Sequence, residues 1–300
     1  MGVGAAAGAA ALGLPNVANA ASWSSRNWMS SLPDSRSLTR MTIPGTHDTC
    51  SNNANNGTMW AKCHNWSIWD QLERGIRFVD IRLNGLQGTA NEMGVYHGSW
   101  YQDIRYQDVL NACDNHLRNN PREVIIMRVK NENAGGQALG AAEFRRRFNF
   151  YLDHPSMNFR PRFWTNPSWP TLGQARGKIV LVADFANPWT VLQWSSGWNS
   201  FFRTQDIWDG NGQGIQFKRD KIIEWFDHAY FNQNAAEMYV NHTSYANGVW
   251  PSTNASNIFP TVRYYLDQRK TQRINFGIVP MDFPDYDTEV LRLLIDKNFI

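Results

Sequence analysis

The residues that could do chemistry fall at the ends of short apolar runs. His47 and Asp48 follow a Pro44-Gly45 turn after the run Thr39 to Ile43, and His97 with Gly98 closes the run Met93 to His97. Asp80 and Arg82 lie within Arg77 to Leu83, Lys130 and Glu132 follow Glu123 to Val129, and Asp282 follows Asn275 to Met281. Two imidazoles on different strands can divide general-base from general-acid work, because each titrates near neutrality. Asp48 and Asp282 are the carboxylates available to orient them. Arg82 and Lys130 add positive charge, and a planar guanidinium suits a phosphoryl oxygen. The set points to cleavage of a phosphate ester with no required metal ion. A metal phosphodiesterase would instead need several carboxylates converging on one cation. Each residue alone has a plainer reading: a His-Asp neighbour pair suits any loop, Arg82 can pair with Asp80 or Glu132, and Lys130 with Glu132 fits a structural ion pair equally well. What favours chemistry over chance is that five such ends share one rim.

Only a particular architecture makes them share it. Two further apolar runs, Lys178 to Phe185 and Glu237 to Val240, bring the strands to about seven. Helical spacing is seen in Ser67 to Arg74, Tyr106 to Arg118, Ala141 to Tyr151, Arg219 to Tyr230, Ile258 to Arg269 and Thr288 to Lys297. Strands alternating with helices predict an α/β fold with parallel strands inside, a closed or nearly closed barrel with its chemistry at the C-terminal strand ends. A doubly wound open sheet competes, but no Gly-x-Gly-x-x-Gly follows a strand.

At 300 residues with 42% hydrophobic content, the chain can bury one large core. No Pro- or Gly-rich linker or fixed repeat divides it, so residues 21–300 are read as one domain acting as a monomer. A net charge of +3 with no basic tract gives no sign of nucleic acid. Residues 1–20 are apolar and small, end in Ala18-Asn19-Ala20 and read as a signal peptide lacking its positive start, which makes the protein a secreted one. Gly, Pro15 and Asn16 interrupt that stretch too soon for a membrane span. Of three cysteines, Cys50 and Cys63 are the local candidates for a disulfide, and Cys113 is left as a buried thiol. With no Cys-x-x-Cys spacing they form no zinc signature. His64, His116, His154, His228 and His242 lack company in the sequence and are read as surface or capping residues. Sequons at Asn56, Asn65, Asn241 and Asn254 have meaning only in a eukaryotic secretory pathway.

Taken together, Ile43 to Thr49 (IPGTHDT), Gly75 to Arg82 (GIRFVDIR), Val95 to Gly98 (VYHG) and Pro121 to Lys130 (PREVIIMRVK) with Glu132 resemble the X-domain core of bacterial phosphatidylinositol-specific phospholipase C. The likeness extends from Asn27 through Leu172 to Lys178 and Val240 to Ser244 as far as Asp282. It implies a distorted TIM barrel that cleaves phosphatidylinositol to diacylglycerol and inositol 1,2-cyclic phosphate. By that resemblance His47 is the general base, His97 the acid, Asp282 the partner of the base and Asp48 the partner of the acid. Arg82 stands where calcium-dependent relatives have a carboxylate, so neither calcium nor another cofactor is expected. Lys130 and Asp206 match contacts to inositol hydroxyls, with Glu132 close by, and Trp208 falls where the family stacks a tyrosine under the ring. Asp184 aligns with an arginine that holds inositol hydroxyls, reversing the local charge. Trp60 and Trp250 match tryptophans that meet the lipid surface. The implied partner is phosphatidylinositol in membranes or micelles, with glycosylphosphatidylinositol anchors as a further candidate. Two alternatives stay open: a related phosphodiesterase for another head group, motivated by Asp184, and a non-catalytic inositol-lipid or glycan-binding barrel.

Overall fold

A computed structural model describes residues 23–53, 57–186 and 191–300 of the chain. The proposed signal peptide and Asn56 lie outside these residues. The strands are β1 (Thr42–Thr46), β2 (Phe78–Gly85), β3 (Met93–His97), β4 (Trp100–Arg105), β5 (Ile125–Asn131), β6 (Phe163–Trp164), β7 (Ile179–Asp184), β8 (Leu192–Gln193), β9 (Phe202–Gln205), β10 (Met238–Asn241) and β11 (Gly277–Met281). Between them run α1 (Thr58–Ala61), α2 (Ile68–Glu73), α3 (Tyr106–Asn119), α4 (Ala141–Asp153), α5 (Leu172–Ala175), α6 (Ile215–Phe231), α7 (Pro251–Asp267) and α8 (Thr288–Asp296).

The sheet runs β6-β7-β5-β2-β1-β11-β10-β9, parallel throughout, with β3 and β4 as an antiparallel hairpin on β2 and β8 beside β7. It is a curled, barrel-like sheet. Among the described residues no ladder joins β9 to β7 or β8, and side chains fill that seam: the Trp194 ring lies 5.1 Å from Phe202 and 6.3 Å from Phe78. The central strands are continuously buried, as strands covered on both faces must be. The helices begin where local chemistry allows; α2, for example, has a Ser67–Asp70 capping box.

The predicted Pro44-Gly45 turn is absent. Both residues lie inside β1, with Pro44 opposite Val279 and Gly45 opposite Pro280. Proline is tolerated because β2 pairs with β1 only from Gly45↔Phe78 onward, so the N–H it lacks has no strand partner to serve. Gly45 is required because a Cβ there would come within 2.8 Å of the Phe78 side chain. The strand therefore runs on to Thr46 and delivers His47 directly to the rim. Strands β4, β6, β8 and β9 carry no apolar run and were not read from the sequence.

At the opposite end of the barrel, Arg77 and Glu123 form a fully buried ion pair, Nε to Oε2 at 2.7 Å. Arg77 Nη1 donates to the carbonyls of Leu72 and Ile76, its Nη2 to Arg26, and Glu123 Oε1 accepts from Ser30 N–H. This ties the chain start and the α2–β2 loop to β5. Removing one partner of such a pair strands a buried charge. Arg77→Met is expected to lower the unfolding free energy in urea by about 3–5 kcal/mol, and Arg77→Met with Glu123→Leu to recover part of that loss.

Candidate active site

Parallel register builds the site. Thr46 pairs with Met281, so the next residues, His47 and Asp282, leave their strands side by side. The His47 ring donates from Nδ1 to Asp282 Oδ1 at 2.9 Å when that carboxylate is ionised, leaving Nε2 as the free lone pair. Asn241 pairs with Gln205, which places His242 beside Asp206 in the same way, Nδ1 to Oδ1 at 3.8 Å. Arg82 pairs with Lys130 and Lys130 with Asp184, so three charged residues stand level on β2, β5 and β7.

Asp48 has φ +45, the left-handed conformation that turns the chain after His47. Asp80 holds this turn: its Oδ2 accepts from Asp48 N–H and from Arg82 Nε and Nη2, each at 3.1 Å. Arg82 Nη1 lies 3.1 Å from Asp48 Oδ2. That oxygen is 3.5 Å from His47 Nε2 and 3.7 Å from His97 Nδ1, so Asp48 sits between both imidazoles and the guanidinium rather than beside His97 alone. His97 Nδ1 lies 3.0 Å from the Ala61 carbonyl, its better-placed partner. When Nδ1 donates to that carbonyl, Nε2 is the nitrogen left for chemistry.

Burial pushes the His47 imidazole down, but Asp282 and Asp48 outweigh it against Arg82 and leave it above its ordinary value. Burial pushes the Asp80 carboxyl up; Arg128 and Arg82 outweigh it and hold the group far below the carboxylate range. Asp48 is likewise lowered against its burial, by Arg82 and then the two histidines. Burial drives His242 down to about 4, so it is neutral where His47 works.

A cavity of about 430 Å³ opens onto this cluster. His47, Arg82, His97, Lys130, Glu132, Asp206, Trp208, Trp60 and Asp282 line it, together with Arg128, which no sequence motif singled out, and Cys63, expected in a disulfide. Lys130 donates to Glu132 Oε2 at 2.7 Å, while Glu132 Oε1 accepts from Gly98 N–H at 2.9 Å; this ion pair both lines the cavity and fixes the turn after His97. Asp206 is brought to about 2 against its burial, by His242, Arg128, His47 and Arg82. Trp208 and Trp60 are about half exposed at the mouth, and Trp250, outside the lining, meets the Trp60 ring edge-on at 6.5 Å.

Asp184 does not line the cavity. Arg128 donates to its Oδ2 at 2.6 and 3.1 Å, approaches Asp80 Oδ1 at 3.4 Å, and lies 4.2 Å over the Trp194 ring. The position that the resemblance gives to arginine is acidic here, and the neighbouring strand supplies the guanidinium. The sequence signal was an arginine inside the apolar run IIMRV, two residues from Lys130 and so on the same face.

Three histidines read as surface or capping residues are buried. His64 Nε2 lies 2.6 Å from the His47 carbonyl and props the turn after β1, His242 packs edge-on to His47 at 6.0 Å, and His116 meets Glu73. The proposed Cys50–Cys63 disulfide does not form: all three cysteines are free. Cys50 is buried in the hydrophobic core with Cys113, whereas Cys63, held by its N–H to the Ser51 carbonyl, faces the cavity. Asn241 and Asn254 are buried, so those sequons offer no glycan site.

The description of the phosphatidylinositol-specific phospholipase C X domain matches residues 41–184. A 1-phosphatidylinositol phosphodiesterase of Listeria monocytogenes is 30% identical over 284 residues, 91% of this chain and 85% of that one. The chain belongs to the phosphatidylinositol-specific phospholipase C X-domain family. Its Staphylococcus aureus counterpart is 27% identical, covering 92% of this chain and 95% of the relative. The solved phosphatidylinositol-specific phospholipase C of L. monocytogenes superposes with a TM-score of 0.75 over 92% of this chain and 100% of that one, at 26% identity. An S. aureus structure reaches 0.79 at 24% identity and bears on the fold alone. The family fold agrees with the curled parallel sheet, and the matched segment contains both histidines and Arg82.

Because Asp282 is what lifts His47, Asp282→Asn is expected to lower the His47 titration midpoint in histidine NMR spectra. The wild-type midpoint should lie above about 6.5; a midpoint unmoved by the substitution would contradict the assigned hydrogen bond.

Proposed function

We propose that this chain is an exported, metal-independent phosphatidylinositol-specific phospholipase C. His47 Nε2 takes the proton of the inositol 2-hydroxyl. That oxygen attacks phosphorus, the bond to the glycerol oxygen breaks, and protonated His97 gives its proton to the departing diacylglycerol. The products are diacylglycerol and inositol 1,2-cyclic phosphate. The observation that carries this reading is the His47–Asp282 hydrogen bond on a cavity that also holds His97 and Arg82. Asp282 fixes the tautomer of the base. Arg82 places a permanent charge where phosphoryl oxygens gather negative charge, and Asp80 and Asp48 lock its orientation.

Holding the attacking hydroxyl beside phosphorus supplies up to about 7–11 kcal/mol in favourable intramolecular cases, and each proton transfer by a positioned side chain about 10²–10⁴-fold. Lys130, Glu132, Asp206 and Arg128 offer charged hydrogen-bonding groups to ring hydroxyls, and Trp208 an aromatic face. The Arg128–Asp184 pair keeps a guanidinium at the cavity despite the acidic residue at 184, which favours inositol over another head group. Half-exposed Trp60 and Trp250 suit transient contact with a lipid surface. Among the described residues, no helix is long and apolar enough to cross a membrane.

Phosphorus NMR of phosphatidylinositol micelles with the purified protein is expected to show a cyclic phosphate signal; hydrolysis without one, or turnover of lipids lacking the 2-hydroxyl, overturns the reading. His47→Ala and His97→Ala should each cut kcat/KM by about 10²–10⁴-fold or more with the far-ultraviolet spectrum unchanged. Activity should be the same in buffers with added calcium and with a calcium chelator; strict dependence on calcium would refute the role given to Arg82.

A further inference from the structure

Cys63 takes no part in the reaction above, yet its sulfur stands among the groups that do. Cys63 Sγ is 4.0 Å from His97 Nδ1, that nitrogen is 3.7 Å from Asp48 Oδ2, and the same oxygen is 3.5 Å from His47 Nε2. A His47 ring nitrogen also lies within 4.8 Å of the sulfur. Cys63, His97 and Asp48 thus bring one thiol, one imidazole and one carboxylate within 4.8 Å of one another at the cavity, with His47 at their edge.

A tetrahedral ion with bonds of about 2.0–2.3 Å to nitrogen, oxygen and sulfur sets its ligands roughly 3.3–3.8 Å apart. Within this triad the His97–Asp48 separation falls in that range and the Cys63–His97 separation is just beyond it. A second observation points the same way: Asp48 is buried and its Oδ1 has no hydrogen-bond partner, while Oδ2 meets Arg82 as an ion pair. Such a carboxylate has lone pairs open to a cation. Thiolate and carboxylate together neutralise a divalent charge, and Asp282, within 4.8 Å of the same sulfur, adds to the negative field. Arg82 Nη1, 3.1 Å from Asp48 Oδ2, opposes binding, and the His97 contact to Ala61 must be given up. The donor set of sulfur and imidazole nitrogen selects zinc-like ions; calcium and magnesium prefer oxygen.

We propose that Cys63, His97 and Asp48 form an inhibitory site for a thiophilic divalent cation, with zinc as its representative. Binding forms a zinc–sulfur bond, and the thiol proton leaves to solvent. It also occupies His97 and Asp48, which the reaction needs, so the metal-bound and catalytic states exclude each other. The proposal concerns the catalytic groups assigned above, but its first test does not depend on turnover.

Cobalt(II) titrated into the full-length protein is expected to give a thiolate-to-cobalt charge-transfer band in the near ultraviolet. The band should be lost in Cys63→Ser and Cys63→Ala and retained in Cys50→Ser and Cys113→Ser. In assays on phosphatidylinositol vesicles, zinc should inhibit the wild type reversibly on chelation. Cys63→Ser, with basal activity kept, should need at least about tenfold more zinc for half-inhibition, within the range by which metal-site substitutions change affinity. Absence of the band, its survival in both Cys63 variants, or equal zinc sensitivity in wild type and Cys63→Ser, as when zinc acts on the lipid, would each overturn the proposal.

Discussion

The site depends on one buried carboxylate. Asp80 is almost wholly inaccessible, yet it holds the Arg82 guanidinium, the Asp48 backbone and, through its other oxygen, Arg128. A charge so far from water is tolerated only when its pairing is nearly complete. Asp80 therefore fixes the guanidinium that faces the cavity and the left-handed turn that presents His47. Arg82 is then a preorganised positive charge that needs no rearrangement when negative charge develops beside it.

The rest of the arrangement follows from parallel pairing. Residues one step past a paired position emerge at the same level on neighbouring strands, which is why His47 meets Asp282 and His242 meets Asp206. Both pairings join histidine to carboxylate, but their environments drive them apart. His47 hydrogen-bonds its aspartate and is raised, whereas the His242 ring stands 3.8 Å from Asp206, has no hydrogen-bond partner among the described residues and is lowered by burial. The same two residue types thus give a basic imidazole at the cavity and a neutral packing group behind it.

Arg128 shows how charge can move between strands while a cavity keeps its character. It pairs with Asp184 and Asp80 and lies over Trp194, the ring that fills the seam between β7 and β9. Its cavity-facing charge is thereby coupled to the seam of the barrel. Glu132 plays a similar part on the other side, holding Lys130 and the turn after His97 together.

The sequence by itself determined the alternation of strands and helices and the gathering of His47, His97, Arg82 and Asp282 near strand ends on one rim. These are legible because apolar periodicity sets strand and helix locally, and because several short motifs coincide. The strand Met93–His97 and the start of α3 at Tyr106 were read to the residue. Only the tertiary structure decided that Pro44-Gly45 continues a strand, since the reason is the late start of its neighbour β2. It also decided that Asp48 serves both imidazoles, that Arg128 answers Asp184, that His64 and His242 are buried at the site, and that Cys63 faces the cavity. Each of these depends on which residue of another strand lies opposite, and that register is a property of the assembled sheet which no local pattern encodes.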